Sequence, residues 1–413
     1  MVQSEQHTLD DHTALGGFDK KTINAAIAAG CAISFLSYGF SAGFGVFLQP
    51  MSADLGWSRQ IFSLSVALQM FFWGLGQPLA GIIADRHGAA PVIAVGAVLS
   101  AIGFLLRGTV LTPEVFIFSG ALVGLGMGGA SFATINVALG KVMPAAKRSL
   151  VIGLGTAFAS LGVFIAAPAS LLMINVIGWE NAILAIGGVY LLILTFLYPI
   201  ARVSRPSTIA GQPGALQQAV RNAFADRSYV CLFIGFFVCG FHVAFIQTHL
   251  PAYASDSGLS ATVGAWALSL IGLFNIAGSL LSGWLGQFFS KKWLLSGIYL
   301  SRAIVIAIFV LSPVTASSIY IFSAIMGLLW LSTVAPTTGL IAQTHGLTYL
   351  GTLWGLVFLS HQVGSFLGAW LGGLIYDIYQ DYSVVWWMAV VLVVAAALVH
   401  VPIRETSAAR APA

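Results

Sequence analysis

The chain alternates long apolar runs with short polar breaks. The hydrocarbon core of a bilayer is about 30 Å thick, so a helix that crosses it needs about 20 mostly apolar residues. Windows of that length predict twelve spanning helices, at 24–49, 61–84, 91–108, 115–139, 150–173, 181–201, 229–250, 263–288, 293–311, 316–342, 350–376 and 384–402. The fourth, eighth, tenth and eleventh are long enough to tilt or break. One polar stretch, 202–228, is longer than the others. In it Pro206, Gly211, Pro213 and Gly214 stop a helix, and Leu216, Val220, Ala223 and Phe224 then recur at helical spacing. A short amphipathic helix on the inner membrane surface is expected there. Six runs precede this break and six follow. The expected units are a tail at 1–22, a six-helix bundle at 23–201, the linker at 202–228, a second six-helix bundle at 229–402 and a tail at 403–413.

Composition turns this pattern into a membrane assignment. Of 413 residues, 58% are hydrophobic and 7% charged, against about a quarter charged in soluble domains. A soluble fold of this size could not cover its surface with so few charges. The expected class is an all-α membrane protein. With the N-terminus inside, the inner segments hold every lysine and arginine except Arg59, Arg107 and Arg302, which is 14 of 17 (17 − 3). Cytoplasmic loops carry such an excess. Both termini are therefore expected to be cytoplasmic, in a multi-pass protein of the plasma (inner) membrane. The net charge of +4 reports this topology and gives no basic soluble surface for nucleic acid. Cys31, Cys231 and Cys239 all fall in apolar runs, so they read as free core thiols without disulfide or metal spacing. The first twenty residues include Glu5, Asp10, Asp11 and Asp19, unlike the basic start of a signal peptide.

The two halves repeat each other. A shift of 202 residues pairs Asp54 with Asp256, Gly56 with Gly258, Ser58 with Ser260, Leu68 with Leu270, Phe72 with Phe274, Gly76 with Gly278, Leu79 with Leu281 and Gly81 with Gly283. The shift lays the second run on the eighth. Duplicated halves mark secondary transporters, whose substrate site lies near the midplane between them.

GIIADRHG, residues 81–88, joins the second and third runs and resembles the inner-loop signature of the major facilitator superfamily, G-x-x-x-D-R-x-G. The resemblance covers nearly the whole chain. It implies two pseudo-symmetric six-helix bundles and an inner gate at Gly81, Asp85, Arg86 and Gly88. Residues 37–59, SYGFSAGFGVFLQPMSADLGWSR, resemble the first span and outer loop of monocarboxylate transporter-like members, and KRSLVIG (147–153) partly resembles the entry to their fifth span. Ala42 stands where animal members carry a lysine, and Asn275 and Ser279 stand where they carry an aspartate–arginine pair.

The polar groups inside the runs are the candidate chemistry. None of the 13 acidic residues falls mid-run, which leaves histidine as the titratable candidate. His242 and His249 are seven residues apart, two helical turns or about 10 Å on one face. Gln247 points elsewhere. His361 and Gln362 sit near the middle of the eleventh run, and Arg302 is the one basic residue well inside a run. An unpaired polar group in hydrocarbon costs several kcal/mol, so these side chains either bond between helices or line a watery path. Arg302 has the same two readings, contact with an anion or bracing through neighbouring carbonyls. Tyr38, Gln69, Trp73 and Asn275 are similarly deep. In TVAPTTG, 333–339, Pro336 frees a carbonyl and can break the tenth helix.

The leading expectation is a carrier moving a small organic (mono)carboxylate by alternating access. Substrate binding is assigned to Tyr38, Gln69, Trp73, His242, Asn275, Arg302, His361 and Gln362, and proton coupling, which stays open, to His242, His249 or His361. The rival is a proton-coupled exporter of amphipathic compounds. An enzyme is not expected, because no HExxH, paired carboxylate or phosphate loop is present. No cofactor or metal is implied. The partners expected are the anion, protons in the coupled case and lipid, around a chain that works as a monomer.

Overall fold

The computed structural model describes residues 18–131, 134–135, 138–139, 143, 145–204, 214–346 and 348–405, without the side chains of 85, 145–150 and 152. The described residues are helical nearly throughout. Helix α1 (Lys20–Ala42) runs through a 3₁₀ turn (Gly43–Phe47) into α2 (Leu48–Leu55). Then come α3 (Arg59–His87), α4 (Ala89–Thr109), α5 (Pro113–Gly129), α6 (Ala145–Leu192) and, after a 3₁₀ turn at Ile193–Phe196, α7 (Leu197–Val203). The second half holds α9 (Arg227–Asp256), α10 (Ala261–Phe288), α11 (Lys291–Leu311), α12 (Ala316–Leu329), α13 (Val334–His345), α14 (Leu350–Tyr379) and α15 (Ser383–His400). Between them lies α8 (Ala215–Ala225), which buries Ala223 and sets the Phe224 ring 5.3 Å from Tyr229.

Ten helical stretches among the described residues are long and apolar enough to cross a membrane. Gly153–Val203 contains two of the expected spans, turned at Gly178, whose φ of 80° suits glycine. The shorter α5 supplies the fourth span, which gives twelve. Leu311, Val176 and Val391 are among many large apolar side chains left exposed, as a lipid-facing surface requires. The three cysteines are free thiols, with Cys31 and Cys239 buried.

Within lipid there is no hydrophobic gain from packing apolar helices together, so small residues that allow close backbone approach take over. The glycines of α5 show this. A Cβ on Gly124 would overlap the Gln69 carbonyl of α3, and one on Gly128 would lie 2.6 Å from Gly76. Gly126 turns toward α4 at Gly96 and Ser100. Across α6 and α1, Gly162 meets Gly39. In the second half Gly364 and Gly368 of α14 pack on the Phe237 and Phe241 carbonyls of α9.

The tenth span breaks between Leu329 and Val334. Pro336 sits in the first turn of α13, where its missing N–H costs nothing. The carbonyl it leaves free, on Ser332, accepts the Ser282 hydroxyl of α10. Asn275 Oδ1 accepts the Leu331 N–H at 3.0 Å. Arg302 supplies the other donors: Nε to the Leu329 carbonyl at 3.1 Å and Nη2 to the Trp330 carbonyl at 2.5 Å. A broken helix is tolerable inside a membrane only when its loose backbone groups are satisfied this way. Replacing Arg302 by Met is therefore expected to cost about 2–4 kcal/mol, from carbonyls left buried and unpaired. A lower thermal unfolding midpoint in detergent checks this. Lysine, with one point charge in place of a fork, should not restore the wild-type midpoint.

Candidate functional site

The halves of the chain touch along three lines: α3 against α14, α6 against α10, and the 3₁₀ turn after α1 against α9. The end of the molecule bearing Arg59, Asp256 and Asp377 is called outer, following the charge bias. Toward that end the contacts are tight. A Cβ on Gly45 would overlap the Gln247 carbonyl, and one on Gly373 would overlap the Ser63 side chain. Gly74 stands against Gln362, with 2.7 Å between their Cβ positions, and a Cβ on Gly272 would lie 2.7 Å from the Phe164 backbone nitrogen. Ser269 Oγ donates to the Phe164 carbonyl at 2.6 Å. Toward the other end a Cβ on Gly81 of α3, Gly153 of α6, or Gly351 or Gly355 of α14 would meet nothing within 4 Å among the described residues. A recess of about 360 Å³, lined by Gln49, Asn175, Ser255 and others, enters from the outer side and reaches Gly45. Among the described residues the halves are thus packed closely toward the outer end.

The outer closure is polar, and the sequence pattern gave no sign of it. Ser58, the residue before α3, makes no side-chain cap to that helix. The cap comes from the other half: Asp377, near the end of α14, accepts the backbone N–H of Arg59 at 3.0 Å and of Gln60 at 2.8 Å. Carboxylates are favoured at helix N-termini for this reason. The Arg59 guanidinium forks onto Asp256 at 2.5 and 2.7 Å, donates to the Tyr382 hydroxyl at 2.7 Å and lies 3.6 Å over the Tyr376 ring. Tyr382 in turn lies 3.2 Å from His249 Nδ1.

Deeper along the same junction, Tyr38, Trp73, Gln247, Phe358 and Gln362 come together. The Tyr38 and Trp73 rings are 6.0 Å apart, and Phe358 of α14 meets Trp73 edge-on at 5.4 Å. The Tyr38 hydroxyl meets the Gln247 side chain. Trp73 Nε1 donates to Gln77 Oε1 at 3.1 Å. One buried amide nitrogen here, Gln362 Nε2, has no hydrogen-bond partner among the described residues. Gln247 and Phe358 were not among the sequence candidates. The available signal for Gln247 was Pro251, which frees the Gln247 carbonyl that Gly45 approaches.

The other candidates are turned away from this junction. His242, expected on a watery path, is 1% exposed, with Nδ1 2.7 Å from the Val238 carbonyl and Nε2 2.9 Å from the Ala389 carbonyl of α15. His249 Nε2 lies 2.8 Å from the Ala369 carbonyl. Both imidazoles bond between helices because their face of α9 packs into the second half, while Gln247, on the opposite face, meets the first. Gln69 is held inside the first half, donating to Ser41 Oγ at 2.6 Å. Arg302 is engaged at the α12–α13 break. Asn275 crosses between the halves, donating to Ser160 Oγ of α6 at 2.8 Å. His361 lies beside the junction with Nδ1 3.1 Å from Gln362 Oε1, between the Phe236 and Phe358 rings. At the inner loop, Gly88 takes φ 85° and Ala89 N–H donates to Ser204 Oγ at 2.7 Å. Gly81 is half-buried and Arg86 exposed, and the Asp85 side chain lies outside the described residues.

Two helical halves that repeat each other in sequence and meet across a buried polar junction define a membrane carrier. The chain belongs to the Major Facilitator Superfamily, whose profile matches residues 30–369. That is a family of transporters and not of enzymes. Among its relatives, an uncharacterized MFS-type transporter of Bacillus subtilis, YcxA, is 26% identical over 90% of this chain and 93% of its own length. Monocarboxylate transporter 13 of Bos taurus is 26% identical over 85% of this chain and 82% of its own. Monocarboxylate transporter 13 of Rattus norvegicus is 25% identical over 85% and 81%.

The outer closure is testable without a substrate. With Cys31, Cys231 and Cys239 replaced by serine and Ser63 by cysteine, a membrane-impermeant maleimide should react slowly. Adding Asp377→Asn, or Asp256→Asn, is expected to raise that rate several-fold, because each removes charge-assisted bonds worth about 1–3 kcal/mol from the closed form.

Proposed function

We propose that this protein carries a small organic monocarboxylate across the membrane by alternating access. In this reading the division at 202–228 separates two lobes that rock about the junction, and the closed outer contacts belong to the inward-facing form. The charge bias supports cytoplasmic termini in a plasma (inner) membrane.

The observation that carries the reading is an amide donor at the lobe contact, Gln362 Nε2, buried without a partner among the described residues. Leaving such a donor unpaired costs about 1–3 kcal/mol. A ligand bearing acceptor oxygens would repay that cost, and a carboxylate is the acceptor the names of the relatives support. Tyr38 offers a hydroxyl at the same place, and the Trp73 and Phe358 rings offer an apolar wall for a short carbon skeleton. Few polar groups on an apolar surface is the usual composition of a small-molecule site. Asn275 and Ser160 hold the second lobe contact and serve the rocking rather than the ligand. His361, next to Gln362, is the histidine placed to sense a ligand there.

Counterflow in proteoliposomes tests the proposal. Vesicles preloaded with unlabelled lactate or pyruvate should accumulate the labelled acid transiently and saturably, and should not accumulate a labelled lipophilic cation. Accumulation of the cation alone would favour the exporter of amphipathic compounds. Gln362→Leu is expected to raise the KM for the acid about tenfold, the loss of one hydrogen bond to a charged group.

A further inference from the structure

Arg302 carries a charge deep in the membrane without a carboxylate. It is 1% exposed, and among the described residues the ion pairs are Arg59–Asp256 and His345–Asp226. A guanidinium keeps its proton at every relevant pH. The Leu329 and Trp330 carbonyls that it bonds are dipoles, which solvate the charge and leave it uncompensated. The third partner differs in kind. Nη1 donates to Cys239 Sγ at 3.3 Å, and a thiol can become an anion.

The other buried arginine shows what the alternative looks like. Arg107 lies at the end of α4, with the Phe44, Phe104 and Phe116 rings 4.6, 5.3 and 5.6 Å from its guanidinium carbon. Cation–π contacts of that kind stabilise a charge near a span end. Arg302 is mid-span and has one ring near it, Tyr299 at 5.3 Å.

We infer that Cys239 and Arg302 form a buried thiolate–guanidinium pair, and that the sulfur is a proton-binding site with His361 as its neighbour toward the junction. Three polar groups converge on the fully buried sulfur: Arg302, the Thr333 hydroxyl at 3.5 Å and the His361 side chain. On α1, Tyr38 also faces the sulfur, and its hydroxyl meets the Gln247 side chain. On α9, His242 is bonded to two carbonyls. On α11, Tyr299 donates its hydroxyl proton to the Gly235 carbonyl at 2.8 Å. On α15, His400 stacks on Tyr299 and faces the Ala396 carbonyl. On α14, His361 remains, 7% exposed, next to Gln362 at the lobe contact. The step balances simply. The S–H bond breaks, its electron pair stays on sulfur, and the proton passes to a ring nitrogen of His361 and on to water admitted when the lobes separate. Uptake is the reverse. A protonated sulfur leaves Arg302 uncompensated and the second half one charge more positive, which favours an anion nearby. That last consequence rests on the carboxylate reading. The pairing does not.

Spectroscopy decides the pairing. Purified protein with Cys31→Ser and Cys231→Ser keeps Cys239 as its single thiol. At neutral pH it should show no S–H stretching band in the infrared and a thiolate absorbance in the ultraviolet that Cys239→Ser lacks. An S–H band at neutral pH overturns the pair. In the same background Arg302→Gln, if folded, should bring the S–H band back, and a persisting thiolate there also overturns it. The proton-site half is read in proteoliposomes with labelled lactate. Uptake should rise several-fold with external acidity in the wild type and lose that rise in Cys239→Ser. An unchanged rise in the variant, or a flat wild-type profile, overturns it. If the wild type moves no carboxylate probe, the carboxylate reading fails while the spectra still decide the ion pair.

Discussion

Hydrocarbon offers no hydrogen bonds, and that constraint organises this protein. A polar side chain within an apolar span must find its partner inside the chain, in a ligand or in water admitted between helices. Most find one inside. The imidazoles of His242 and His249, the guanidinium of Arg302 and the carboxamide of Asn275 all meet backbone atoms of neighbouring helices or of the interrupted tenth span. They fasten helices together at places where glycines bring the backbones close. The groups that stay unfastened are then informative, because their cost has to be recovered elsewhere in the working cycle.

The same constraint explains why the two ends of the molecule differ. At the outer end the lobes are joined by charge: a carboxylate on one caps a helix of the other, and a guanidinium forks onto a second carboxylate. Such bonds are strong when formed and are readily exchanged for water when broken, because this end lies at the membrane surface. At the level of Gln247 and Gln362 water is not so close, and the contact there is made of rings, amides and glycine. The charged contacts thus lie at the outer end, and rings, amides and glycines make the contact at depth.

Much of this was legible in the sequence. The twelve spans, the amphipathic helix of the linker, the buried free thiols and the family all follow from run length, charge bias and GIIADRHG. The interruption of the tenth span was visible in Pro336, although the helix parts at 330–333, a turn earlier, because proline fits the start of a helix better than its middle. The site was less legible. In CGFHVAFIQTHLPAY the two histidines and the glutamine lie on opposite faces of one helix, and periodicity alone cannot say which face meets the other lobe. Side-chain polarity pointed to the imidazoles, whereas packing turned them inward and left Gln247 at the junction. The Asp377 cap was invisible for a different reason. It joins residues more than 300 positions apart, and a serine already stood where a local cap was to be expected.

Gly178 joins the fifth and sixth spans by a single residue outside helical geometry, within what is otherwise one uninterrupted helix. A hinge that short leaves no slack. The strand of contacts that α6 makes with α10 on one side is thereby tied to the lipid-facing wall formed by its own second arm. A displacement of one arm at Gly178 therefore reaches the other with no loop between them to absorb it.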